Sequence, residues 1–437
     1  LLGVETPGRR GHLLLLSLIL NMRLKRVVVT GLGAITPLGN TIAAYWEGLR
    51  AGTSGAAPIT RFDAAKFKTR FACEVKGYNP DDHFDRKEVK KMDLFTQFAM
   101  VAAAEAVADA RLLEGVDKDR VGVIWGSGIG GLKSLQDECV QFGRGDGTPR
   151  FSPFFIPRMI ADLAAGHISI KYGFRGPNFV TVSACASASN AVIDAFNYLR
   201  LGMADVIVTG GSEAAITESG IGGFNALKAM SERNDDYLTA SRPYDKDRDG
   251  FVLGEGGGAL ILEELEHAKA RGAKIYCELI GAGMSADAYH MTAPDPEGKG
   301  VTIVMQNALR DAGIVPADVD YINTHGTSTP LGDGAEVKAI ETVFGEAAYA
   351  LNISSTKSMT GHLLGGAGGI EALACVLAIQ HQCVPPTINH FTDDPELNPR
   401  LNFTFNTAQE RRVRVALSNT FGFGGHNTSV IFRAFEE

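Results

Sequence analysis

Cysteine is scarce in this chain and never clustered. The six residues, at positions 73, 139, 185, 277, 375 and 383, form no Cys-x-x-Cys pair and no zinc-ligand spacing. That argues against a disulfide or metal framework and makes a reducing, cytoplasmic setting the expectation. Basic excess is missing too. A net charge of -8 removes any general electrostatic reason to bind nucleic acid or an anionic membrane, although a local basic patch stays open. The apolar run Leu13–Leu20 after Arg9-Arg10 has the pattern of a signal peptide. It is, however, well short of the roughly 20 residues a membrane helix needs, and no Ala-x-Ala cleavage site follows it. Met22 leads directly into the strand-like Lys25–Gly31, so residues 1–21 read as an extension outside the fold, and membrane insertion is not expected.

What is present points to a layered α/β protein. At 437 residues and 45% hydrophobic, the chain can bury one large core or two closely joined halves. Many of its 51 glycines end apolar runs, as tight turns after strands require. Val27–Thr30 ends in Gly31-Leu32-Gly33, and Val121–Trp125 ends in Gly126-Ser127-Gly128-Ile129-Gly130-Gly131. The second turn invites a nucleotide-loop reading. Neither a Walker lysine nor an acidic ribose partner accompanies it, so close packing beside a pocket is the better account. Lys87 to Ala110 reads as one helix, basic at its start and apolar along Met92, Phe95 and Phe98.

The second part of the chain replays the first. Ile275–Ile280 with Gly281-Ala282-Gly283 echoes the opening strand, and Val319–Asn323 before His325 echoes the strand before Gly126. Leu351–Ser354, followed by Lys357 and a helix from Gly369, echoes the unit around Cys185. Val413–Leu417, with Gly422-Phe423-Gly424-Gly425 and Ser429–Phe432, echoes the strands around Gly210. The halves are taken as 22–272 and 273–437, a pseudo-symmetric pair whose matching strand ends converge on one site.

Three residues at such strand ends can do chemistry. In Phe179–Ala191 a buried-strand pattern stops at Cys185, then small residues open a helix. A sulfur at the positive end of a helix is expected to have a lowered pKa. His325, in Thr324-His325-Gly326-Thr327-Ser328-Thr329, and His362, in Lys357-Ser358-Met359-Thr360-Gly361-His362, stand at equivalent junctions. A buried Lys357 needs a carboxylate, and Glu371 is the nearest candidate in sequence.

Together, the Cys185 segment, the His325 motif, Lys357 to His362 and Gly422-Phe423-Gly424-Gly425-His426-Asn427 resemble the elongating β-ketoacyl-acyl carrier protein synthases, most of all the synthase II type. The resemblance runs from about residue 23 to residue 433. It implies the thiolase fold, two βαβαβαββ halves stacked as five α-β-α-β-α layers, in a homodimer without cofactor. By the same resemblance Cys185 is the acyl-accepting nucleophile, and His325 and His362 serve decarboxylation. Lys357 with Glu371 orders the histidines. Phe423 is the gate and, with Cys185, an oxyanion-hole amide. Ile129, Phe224 and Phe421 match the acyl pocket and its mouth, and Thr327 and Thr329 match hydroxyls that contact pantetheine. Lys87, Lys90, Lys91 and Lys228 match docking positions for acidic acyl carrier protein. Asn323, Glu371, Ser418 and Asn419 match a structural cation site. His426 departs from the threonine common in relatives. A discrete polyketide ketosynthase, or a synthase I with another chain-length preference, is the alternative. A degradative thiolase would want a second cysteine near the gate, and Phe421–Asn427 has none.

Overall fold

The computed structural model describes residues 24–436, so the reading of residues 1–21 lies outside the described residues. Val27–Ile35 forms strand β1, buried along its whole length. The first half continues with β2 (Val121–Gly126), β3 (Asn178–Thr181), β4 (Val206–Glu213) and β5 (Gly256–Glu264), with helices α1 (Leu94–Asp109), α2 (Leu163–Tyr172) and α3 (Ser187–Arg200) between them. The second half supplies β6 (Cys277–Ala286), β7 (Tyr321–Asn323), β8 (Asn352–Ser354), β9 (Val415–Gly422) and β10 (His426–Ala434). Its helices are α4 (Lys299–Ala312), α5 (Pro330–Phe344) and α6 (Ala367–His381).

The strand order is β8-β7-β9-β10-β6-β1-β5-β4-β2-β3, and the two sides match strand for strand outward from the centre. At that centre Val27–Val29 pair antiparallel with Cys277–Leu279. In each half the middle strand is parallel to both neighbours: β2 to β3 and β4, and β7 to β8 and β9. Helices α3 and α6 pack on each other and against strands of both halves, while α1 and α2 cover one outer face and α4 and α5 the other. These are the five expected layers. The apolar stretch Leu364–His381 is 89% buried, as a central-layer helix must be.

The repeated Gly-x-Gly has a steric cause. A Cβ on Gly33 would lie 2.0 Å from the Ala102 carbonyl oxygen of α1, and one on Gly283 would lie 2.2 Å from the Val304 carbonyl oxygen of α4. In both halves the outer helix rests directly on strand backbone. Gly33→Ala is therefore expected to destabilise the fold by about 2–3 kcal/mol, read as a lower denaturation midpoint. An unchanged midpoint would show that the helix can move away at no cost.

Two elements differ from expectation. The Lys87–Ala110 segment is not one helix. A single turn, Arg86–Val89, is followed by a break, and α1 starts at Leu94 under the cap of Asp93. The Asp93 carboxylate also accepts from the amide and hydroxyl of Ser134, a tertiary anchor that fixes the break. Strand β9 does not stop at Leu417 but runs to Gly422, pairing with β10 down to His426. Phe423-Gly424-Gly425 is thus the tip of a hairpin, with both glycines at left-handed φ of 87° and 74°.

Candidate active site

β3 ends at Thr181 and α3 begins at Ser187, so Cys185 sits on a tight turn at a helix N-terminus. Ala184 takes a φ of 51°, unusual for a residue with a Cβ. Ser187 holds that conformation: its hydroxyl donates to the Ala184 carbonyl (2.7 Å) and accepts from the Ser183 amide (2.9 Å). Strand β9 passes so close that a Cβ on Gly422 would lie 3.0 Å from the Cys185 nitrogen. Just beyond, the Phe423 amide donates toward the Cys185 sulfur.

Both histidines come to the pocket of this sulfur from the second half. His325 follows β7, and its amide and that of Gly326 donate to the Glu336 carboxylate on α5 (3.0 and 2.9 Å). His362 follows the helical turn Lys357–Thr360, and its amide donates to the Val252 carbonyl (2.7 Å). Its Nε2 lies 3.0 Å from Cys185 Sγ. The two imidazoles meet edge to face, with centroids 5.3 Å apart and planes at 88°. Loss of solvent, then the nearby Lys357 charge, holds both rings well below the ordinary histidine range, so each is neutral and carries one N–H.

Lys357 and Glu371 form an ion pair, both about 1% exposed. Glu371 Oε2 also accepts from Thr420 on β9 (3.3 Å), whose hydroxyl contacts Ser189 of α3 (3.0 Å). The pair thus ties the His362 turn to the central helices.

The expected low thiol pKa is not found. Burial pushes the Cys185 thiol up to about 12, against the smaller opposing effects of Lys357 and the Phe423 amide. A helix end favours an anion by at most a couple of kcal/mol, less than burying a thiolate costs. The resting site therefore holds a neutral thiol beside neutral imidazoles. A small haloacetamide should alkylate Cys185 at a rate rising about tenfold per pH unit across neutrality. A plateau near neutral pH would instead reveal a resting thiolate.

The cysteine opens into a pocket of about 610 Å³. Ile129, Phe224, Thr327, Thr329, Phe421 and Phe423 line it together with Cys185, His325 and His362, and so does Lys228. Phe224 packs edge-on against Phe251, and the Thr327 and Thr329 hydroxyls are 3.0 Å apart. Lys87, Lys90 and Lys91 are exposed and do not line the pocket. Asn323, Glu371, Ser418 and Asn419 are buried behind the histidines. Among the described residues the Asn323 Oδ1 and Ser418 Oγ have no hydrogen-bond partner, whereas Asn419 donates to Glu336 and accepts from Ser429.

Sequence reasoning missed two buried glutamates. Glu336 holds the His325 loop, and Glu213, the last residue of β4, fills the Gly128–Gly130 turn with its carboxylate. That carboxylate occupies the position a phosphate would need, which settles the glycine turn as packing. The only available signal was an acidic residue at a strand end, in Gly210-Gly211-Ser212-Glu213.

A buried cysteine beside two neutral imidazoles, at the seam of a duplicated five-layer fold, defines a condensing enzyme of the thiolase superfamily. The chain belongs to the β-ketoacyl synthase family: residues 24–268 match the beta-ketoacyl synthase N-terminal domain and residues 276–391 the C-terminal domain. It is 53% identical over 417 residues to 3-oxoacyl-[acyl-carrier-protein] synthase 2 of Synechocystis, covering 95% of this chain and 100% of that one. The synthase 2 of Staphylococcus aureus is 51% identical over 413 residues, covering 94% and 99%. Among solved structures, a beta-ketoacyl synthase from Burkholderia phymatum superposes with a TM-score of 0.87 at 34% identity, covering 94% of this chain and 100% of that one. A type II polyketide ketosynthase in complex with its acyl-carrier protein gives a TM-score of 0.85 at 34% identity, covering 95% and 100%.

Proposed function

We propose that this chain is the elongating condensing enzyme of fatty acid synthesis, a 3-oxoacyl-acyl carrier protein synthase of the II type. The observation that carries the reading is the 3.0 Å approach of His362 Nε2 to Cys185 Sγ with His325 alongside. An acyl-loaded carrier presents its thioester to Cys185. The sulfur attacks the carbonyl as its proton passes to His362 Nε2, and the amides of Cys185 and Phe423 hold the oxyanion. The tetrahedral intermediate collapses, and the carrier leaves as its thiol with that proton. Malonyl carrier then enters with its thioester oxygen toward the two imidazoles, after His362 exchanges protons with solvent to the tautomer whose N–H is at Nε2. Loss of CO2 leaves the electron pair as an enolate on that oxygen, the charge the paired donors stabilise. The enolate carbon attacks the acyl-Cys185 carbonyl, and the cysteine sulfur leaves, taking up a proton from water to restore the neutral thiol. The product is a 3-oxoacyl carrier two carbons longer. Synthase I and polyketide alternatives are not favoured by the relatives' identity.

The remaining roles belong to the same proposal. Lys357 and Glu371 keep the His362 turn in place. Thr327 and Thr329 contact the pantetheine arm, and Ile129, Phe224 and Phe421 bound the acyl chain. The free oxygens of Asn323 and Ser418 suit a hard cation, which with Glu371 would add rigidity beneath the histidines. Asn419, its amide engaged, is the weakest ligand of the four.

Lys87, Lys90 and Lys91 are the docking surface for the acidic carrier, with Lys228 at the pocket mouth. Reversing all three of the former to Glu is expected to raise KM for carrier-bound acyl substrate about tenfold and flatten its salt dependence. Small pantetheine thioesters should react as before, and unchanged carrier kinetics would dismiss the patch. A homodimer through β3 fits this edge of the sheet. Its residues are exposed or half-buried and Val182 is 65% exposed, while the equivalent β8 is buried and bridged by Asn402. Six free thiols suit a cytoplasmic setting.

A further inference from the structure

We infer that Glu213 is a positioning residue for acyl-chain selection, clamping the pocket wall of the first half to the loop after His362 in the second. The inference rests on the reading of Ile129 as part of the acyl pocket wall.

The Glu213 side chain is fully buried and accepts five hydrogen bonds. Oε1 takes the Ser127 hydroxyl (3.1 Å) and the amides of Ile129 and Gly130 (3.2 Å each). Oε2 takes the amides of Gly128 (2.8 Å) and Gly365 (3.1 Å). One oxygen thus gathers the turn that carries Ile129, and the other bridges the two halves. Gly128, Ile129 and Leu364 all line the pocket. The bridge has no slack, since a Cβ on Gly365 would lie 2.0 Å from the Gly128 nitrogen. No cation compensates this carboxylate among the described residues. Burial pushes it up to about 7, and the donors act in the other direction. Five convergent donors with no positive partner form a clamp for backbone, not a reacting group. Ile129 itself is 39% exposed and makes its contacts at the cavity, so its place is set from behind by its own amide.

Glu213→Gln breaks this selectively. The amide nitrogen cannot accept, so either the Gly128–Gly365 bridge or the Ile129–Gly130 turn loses its acceptor. The test is acyl transfer to Cys185 from butyryl and palmitoyl carrier, beside malonyl-carrier decarboxylation, in the full-length enzyme. The expected result is a change of about tenfold in the palmitoyl-to-butyryl ratio of kcat/KM, with decarboxylation unchanged. Ser127→Ala, which removes one donor to Glu213 and one of the two acceptors of the Gly130 amide, should move the ratio the same way by less and guards against a misfolded Gln variant. A parallel fall of all three activities, or an unchanged ratio in both variants, overturns the inference. Ile129→Trp separates the two layers. If it too leaves the ratio unchanged, the reading of Ile129 has failed, whereas a shift with Ile129→Trp alone refutes only the clamp.

Discussion

Cys185→Ala is expected to lower condensation by on the order of 10⁴-fold or more, while malonyl-carrier decarboxylation continues at a measurable rate. The asymmetry follows from the division of the site. Acyl transfer needs a covalent acceptor, and Cys185 is the sole thiol lining the pocket among the described residues. Decarboxylation needs two N–H donors at a developing oxyanion, and both imidazoles are held by their own backbone anchors: Glu336 for His325, and Val252 for His362. Removing the sulfur leaves those anchors intact. Condensation within tenfold of the parent enzyme would show that another group accepts the acyl chain.

The histidines should separate from each other. His325→Ala is expected to slow decarboxylation by about 10²–10³-fold, the usual cost of losing one oxyanion donor. Acyl transfer to Cys185 should change only a few-fold, because His325 is not the ring in contact with Sγ. His362→Ala should slow both steps, since the proposed mechanism uses its Nε2, 3.0 Å from Sγ, first to take the thiol proton and then, in the other tautomer, to donate to the enolate. Burst measurements of acyl-enzyme formation, run beside CO2 release from malonyl carrier, give the two rates independently. Equal losses on both steps for both variants would leave no distinct roles.

The same pair of measurements marks how far the sequence could be read. Cys185, His325 and His362 were legible because each stands at a strand end in a repeated unit, and a repeat carries its geometry with it. The Gly31/Gly33 and Gly281/Gly283 pairs were legible for the same reason, a helix lying on strand backbone in both halves. The direction of the Cys185 pKa was not. The helix end is local and visible in sequence, but burial by Phe423, Gly422 and the opposite half is tertiary, and it outweighs the helix. The break before α1 was hidden because Asp93 takes its anchor from Ser134, far along the chain. Glu213 and Glu336 escaped notice because their partners are backbone amides, which have no residue type to read. Phe421 and Phe423 both line the pocket, and the hairpin that carries them is longer than the apolar pattern suggested.

Peptide-mapping mass spectrometry of the intact enzyme after brief incubation with acyl-loaded carrier tests the whole chemical argument most directly. A thioester-linked acyl mass on the peptide bearing Cys185, lost again when malonyl carrier is added, is the predicted result. Acylation at Cys73, Cys139 or any other residue in its place, or a Cys185 acyl adduct that malonyl carrier fails to discharge, would contradict it.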